Sequence, residues 1–215
     1  MNPNADADRA ASLVGRTLGE RYRLDAVLAA GTALATFRAT EVRGGTAALT
    51  LAYPEYLKGD AGRRFLREAG ALLMLRHPHV VDTLGSGTDP ELGASFVARA
   101  LTDAKSVEAV LSELGGLEPH AAVRIALQAA RGLNAAHQIG VLHRGVTPGC
   151  VLLETRPNGE LVVRVADFGC ARLAADAGAV PPGDGIPLPP GPPDYFAPEQ
   201  LSGNGVTDER VDVWG

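Results

Sequence analysis

Cysteine is almost missing from these 215 residues, with only Cys150 and Cys170 present. Two cysteines make no disulfide framework and suit a reducing compartment. Aromatic residues are 5% of the chain, so its core has to be built from small side chains, alanine above all. No apolar run reaches the roughly 18 residues that a membrane-spanning helix needs. A basic excess is missing too: the net charge is −5, which argues against a general nucleic-acid binder. The opening stretch MNPNADADRAAS is polar and acidic, unlike a signal peptide. What these absences leave is a cytoplasmic globular chain with no membrane span and no nucleic-acid partner. Its 46% hydrophobic and 21% charged residues are ordinary for such a domain.

The periodicity changes along the chain. Residues 1–15 are polar without a pattern and read as a disordered leader. RYRLDAVL, LATFRATEV and TAALTLAY read as an antiparallel meander of three strands broken at Gly44-Gly45. Over residues 60–76 the period becomes helical, with Phe65, Ala69, Leu72 and Leu73 on one face and Glu68 at its edge. HPHVVDTLG and ASFVARAL read as two more strands. The longest helix is expected over residues 118–138, starting at Glu118-Pro119, with Val123, Leu127, Ala130 and Leu133 or Asn134 along its apolar stripe and Gly140 as its stop. Asn158-Gly159 between two apolar runs signals a hairpin. Residues 174–193 are too rich in proline and glycine for a helix or a central strand. The expectation is an α+β, two-lobed chain with a cleft between the lobes.

Six segments, in order and in register, resemble the protein kinase family, most closely the bacterial serine/threonine kinases of eukaryotic type. They are LGERYRLDAVLAAG, FLREAGALLMLRHPHVV, AARGLNAAHQIGVLHR, VADFGCARL, YFAPEQLSG and DVWG. The resemblance implies the two-lobed kinase fold: a five-stranded N-lobe with one helix over residues 16–101, and a helical C-lobe over 102–215 that holds the activation segment, 170–193. It also implies more C-lobe helices than the chain contains, so the chain reads as C-terminally truncated.

Phosphoryl transfer needs phosphates and magnesium placed, charge neutralised and a hydroxyl oriented. The family's positions for these tasks are largely replaced. Of the three glycines of the phosphate-covering loop, only Gly31 remains; Ala29 and Leu34 stand at the others, and Thr36 at the valine that follows. Thr50 stands where the third-strand lysine would hold the phosphates, which leaves the matching Glu68 without that partner. The only lysines, Lys58 and Lys105, lie outside the glycine loop and the strand that follows it; Arg38, on that strand, is a weak substitute. The catalytic loop reads HRGVTPGC: His143 and Arg144 are kept, but Gly145 replaces the aspartate that orients the attacking hydroxyl, Thr147 the lysine and Cys150 the magnesium-binding asparagine. Loss of a general base alone costs roughly 10²–10⁴-fold. Asp167-Phe168-Gly169 survives, and Asp167 is the one metal-binding position left. The family's adenine-clasping positions fall on Ala48 and Leu152, with Gly31 part of the same vestigial pocket. Between Asp167 and Glu199 there is no serine or threonine, and Tyr195 is the only hydroxyl. Scaffold positions persist: Asp212 would anchor the backbone at His143 and Arg144, and Phe168 would pack beside His143 and Leu72.

The expected function is therefore a kinase-like domain without catalysis, a pseudokinase that acts on a protein partner in signalling. The alternatives are a weakly active serine/threonine kinase and a truncated kinase fragment. ATP and magnesium are implied by the resemblance, with weak or absent binding. Cys150, Cys170, His77 and His79 are expected to be structural.

Overall fold

The computed structural model describes residues 3–57, 61–168, 193–202 and 208–215. Six strands form the first sheet: β1 (Thr17–Leu18), β2 (Tyr22–Ala30), β3 (Leu34–Glu41), β4 (Thr46–Ala52), β5 (Thr83–Asp89) and β6 (Ala94–Ala100), in the order β1-β2-β3-β4-β6-β5 with every pair antiparallel. Alternation sorts their side chains. Leu24, Phe37, Leu49, Leu51 and Ala98 join one buried cluster. In β4, Ala48, Thr50 and Ala52 point to the opposite face, and all but the first of its residues are buried. That second face turns toward α2 (Ala61–Leu72), where Phe65 packs with Ala52, Leu34 and Val97.

The second core is smaller. A three-stranded sheet runs β7 (Lys105–Ser106), β8 (Val151–Thr155) and β9 (Leu161–Val165), in that order. The turn between β8 and β9 carries Gly159 at φ 81°, in the left-handed region that glycine enters without strain, as the Asn158-Gly159 signal predicts. Helix α3 (Val107–Leu114) is capped by Ser106, whose hydroxyl accepts the Ala109 N–H, and ends at Gly115. Helix α4 (Pro119–His137) lies against β9. The close approach needs Gly132: a Cβ there would sit 2.3 Å from the His79 carbonyl oxygen. Leu72, Ile125, Ala129, Leu133, Val141, Val163 and Phe168 share this cluster.

Several expectations need correction. The leader at residues 1–15 is not structureless: Pro3–Ala11 is helix α1. Ala10 is fully buried in the first core and Arg9 stacks 3.5 Å over the Tyr53 ring, contacts that a local reading of polar residues has no means to see. The first sheet has six strands, since Thr17 and Leu18 pair with Arg23 and Tyr22. The strand placed from His77 begins only at Thr83; before it, Val81 N–H donates to the Val165 carbonyl and the His79 carbonyl accepts the Val165 N–H. The stripe assigned to α4 is out of phase. Val123 and Leu127 are 67% and 52% exposed, and the buried face is Ile125, Ala129, Gly132, Leu133 and Ala136. Three of those five residues are alanine or glycine, and their weak hydropathy hid the face. Helix α3 was not anticipated. Cys170, Gly169 and nearly all of segment 170–193 lie outside the described residues.

Candidate functional site

The loop that follows α4 is held by one carboxylate. Asp212, 3% exposed, sits in the helical turn Val211–Trp214. Its Oδ2 accepts the His143 N–H at 2.7 Å, and its Oδ1 the Arg144 N–H at 2.6 Å. His137 Nε2 donates to the same Oδ2 at 2.7 Å. Asp212 thus anchors the loop as expected, and His137 is a partner that sequence reasoning missed. The clamp holds Arg144 at φ 65°, a left-handed backbone uncommon outside glycine. His143 is buried, its Nε2 donating to the Ala166 carbonyl at 2.8 Å and its ring 4.7 Å from that of Phe168. Burial works against a charge on this ring, while Cys150, the Ala166 carbonyl and Asp212 favour one and together raise its pKa to about 9. Gly145 N–H reaches Nδ1 at 3.3 Å, a long contact that only the neutral ring accepts. The bond to Ala166 serves both forms and is the anchor.

The charged groups of the cleft pair in an unexpected way. Thr36 and Thr50, opposite one another on β3 and β4, share a hydroxyl–hydroxyl bond of 3.0 Å. No cation stands on β4, and Arg38 on β3 is exposed. Glu68 of α2 faces Arg144, whose Nη1 lies 3.2 Å from both of its carboxylate oxygens, both side chains 13% exposed. Asp167, at φ 63°, is met by Arg99: Nε donates to Oδ1 at 2.8 Å. Arg99 stands opposite Ala48 on β6, on the same face as Thr50. Sequence reasoning missed it, although an arginine inside the apolar strand ASFVARA was a visible signal. Thr50, Val97, Arg99, Asp167 and Phe168 line one cavity of about 20 Å³, room for about one water molecule.

At Gly145, Thr147 and Cys150 the loop offers no acid, base or cation. The Cys150 Sγ bonds back to Thr147, donating to its carbonyl at 3.1 Å and accepting its N–H at 3.3 Å. Leu34 packs with the Ala52–Phe65 cluster. Ala48 is fully buried in the first sheet, and Leu152, half-buried, belongs to the second. His79 Nδ1 bonds to the Val163 carbonyl at 2.9 Å, and His77 Nδ1 accepts the His79 N–H at 3.2 Å. Among the described residues no group of three histidine, cysteine, aspartate or glutamate side chains could hold a metal. Magnesium demands several hard oxygen ligands, and Asp167 and Glu68 are each already bonded to a guanidinium. The described residues therefore do not fit a magnesium–nucleotide complex.

A family model described as "Protein kinase domain" matches residues 30–215. The chain is similar to the serine/threonine-protein kinase pkn3 of Myxococcus xanthus, 31% identical over 94% of this chain and 37% of that one. It is 35% identical to the DNA damage-responsive serine/threonine-protein kinase RqkA of Deinococcus radiodurans, over 93% of this chain and 29% of that one. To the serine/threonine-protein kinase PkaA of Streptomyces coelicolor it is 36% identical, over 93% and 38%. It thus spans between 29% and 38% of these relatives' length. Among solved structures, the PknI kinase domain of Mycobacterium tuberculosis superposes with a TM-score of 0.68 at 26% identity, over 92% of this chain and 71% of that one.

Proposed function

Since the chain belongs to the protein kinase family, we propose that it is a pseudokinase, a kinase-fold module that serves protein interaction or signalling regulation rather than phosphoryl transfer. The observation that carries this reading is the Thr36–Thr50 hydroxyl pair on the strand that should present the phosphate-holding lysine. Transfer relies on positioning and on neutralising charge, and a threonine supplies no charge. Gly145, Thr147 and Cys150 remove the hydroxyl-orienting and charge-neutralising groups of the loop as well. Because such groups act as a unit, their losses do not multiply. The scaffold is retained in their place: Asp212 clamps the loop, and His143 packs on Phe168. We read residues 16–101 and 102–215 as the two lobes, cytoplasmic, with a protein as partner. No helix among the described residues is long and apolar enough to cross a membrane.

A weakly active serine/threonine kinase is the second reading, favoured by the preserved Asp167 and by the presence of a cation, Arg99, in the cleft. Incubation with labelled ATP, magnesium and generic protein substrates separates the two. No transfer above an Asp167→Ala control is expected; transfer clearly above it rejects the pseudokinase reading.

A further inference from the structure

The misfit to a metal–nucleotide complex centres on one side chain. Register places Arg99 across from Ala48, two residues from the Thr50–Val97 pair and on the same face. From there the side chain spans the cleft to Asp167, on the stretch that follows β9, and its Nε donates at 2.8 Å. The two are not idle surface groups: Arg99 is 20% and Asp167 35% exposed. The pair lines, with Thr50, Val97 and Phe168, a cavity of about 20 Å³, where ligand sites commonly run to roughly 300–1,000 Å³. Arg144 holds Glu68 in the same way, so Glu68 and Asp167 are both bonded to arginines from within the chain.

We propose that Arg99 is an internal plug, a specificity-determining residue that neutralises Asp167 and excludes a divalent metal–nucleotide complex from the cleft. A metal ion approaching Asp167 has to displace a charge-assisted hydrogen bond, which is stronger than a neutral one, and meets the guanidinium as a like charge. A nucleotide's phosphates find the volume beside Thr50 filled. This inference rests on the pseudokinase reading but makes a separate claim. The catalytic loop accounts for absent transfer, and Arg99 for absent metal-dependent binding.

The test is binding of ATP with and without manganese(II), measured by calorimetry on the 215-residue chain and its Arg99→Gln and Arg99→Met variants. The wild-type chain is expected to bind ATP no better with the metal than without. In the variants, manganese is expected to tighten ATP binding at least tenfold, and a second substitution, Asp167→Asn, to abolish that gain. An unchanged variant overturns the plug. A variant that binds ATP more weakly than wild type also overturns it, and makes Arg99 a phosphate anchor. If the variants do not fold, the wild-type chain still decides: a tenfold metal-dependent gain there refutes the proposal directly. Labelled-phosphate transfer, run in parallel, keeps the two readings apart. Metal binding without transfer supports both. Metal binding with transfer in Arg99→Gln upholds the plug and rejects the pseudokinase reading. No gain in binding together with no transfer rejects the plug alone.

Discussion

At Asp212 a single side chain organises a whole loop. It is buried, and three donors converge on it: the N–H groups of His143 and Arg144, and His137 Nε2. Hydrogen bonds to a charged group are worth roughly 1.5–3 kcal/mol each, and an orphaned buried donor costs about 1–3 kcal/mol. Asp212→Ala is therefore expected to destabilise the chain by about 3 kcal/mol or more. Asp212→Asn, which keeps one acceptor oxygen, should cost less. Urea unfolding of the two variants checks the order; equal, small losses would show that the loop is held some other way. The strained backbone at Arg144 and Asp167 fits the same picture, since left-handed φ at such residues persists only where neighbours over-determine it.

Helix α4 shows why an element's phase matters more than its existence. The buried face rests on Ile125, Ala129, Leu133 and Ala136, and Leu127 looks outward. Leu133→Ala should cost about 2–4 kcal/mol, the usual range for a buried leucine. Leu127→Ala should stay within about 0.5 kcal/mol. Parallel thermal melts read the difference, and a reversal would restore the phase drawn from Val123 and Leu127. Gly132 belongs to the same face because the His79 carbonyl leaves no space for a Cβ. Helix α1 makes the complementary point. Its sequence is polar, yet Asp6 accepts the Thr32 hydroxyl at 2.9 Å and Arg9 covers Tyr53, so an amphipathic turn with few apolar residues is fastened by polar contacts.

Across the whole molecule the two cores differ in closure. The first sheet buries Tyr22, Phe37, Leu49 and Leu51 completely. In the second, Ile125, Ala129, Leu133, Val146 and Val151 line an open apolar groove of about 710 Å³, and Val213 and Trp214 stand 80% and 58% exposed. Each large apolar side chain left in water forgoes roughly 1.5–3 kcal/mol, against a total stability of about 5–15 kcal/mol. Amide hydrogen exchange is accordingly expected to be faster across residues 119–137 than across β4 and β6. Slow exchange throughout 119–137 in a monomeric sample would show a second core as tight as the first.

Much of the architecture was legible in the linear order of residues. Alternation in β2, β3, β4 and β6, the helical period at Phe65, Ala69 and Leu72, and Asn158-Gly159 are local signals that act over a few residues, so the strands, α2 and the hairpin follow from them. Motifs in register likewise point to Asp212, His143 and Phe168, and Thr50, Gly145, Thr147 and Cys150 are read directly as residues without charge. Tertiary structure alone decided the rest. The inward face of α4 takes Ala129, Gly132 and Ala136 beside Ile125 and Leu133; these three carry little hydropathy signal, and the close approach of His79 requires the glycine. The helix at residues 3–11 forms where it has a sheet to lie on. The pairs Arg99–Asp167 and Arg144–Glu68 join residues 68 and 76 positions apart. Which cation neutralises which carboxylate is set by distance in space, and no pattern along the chain encodes that distance.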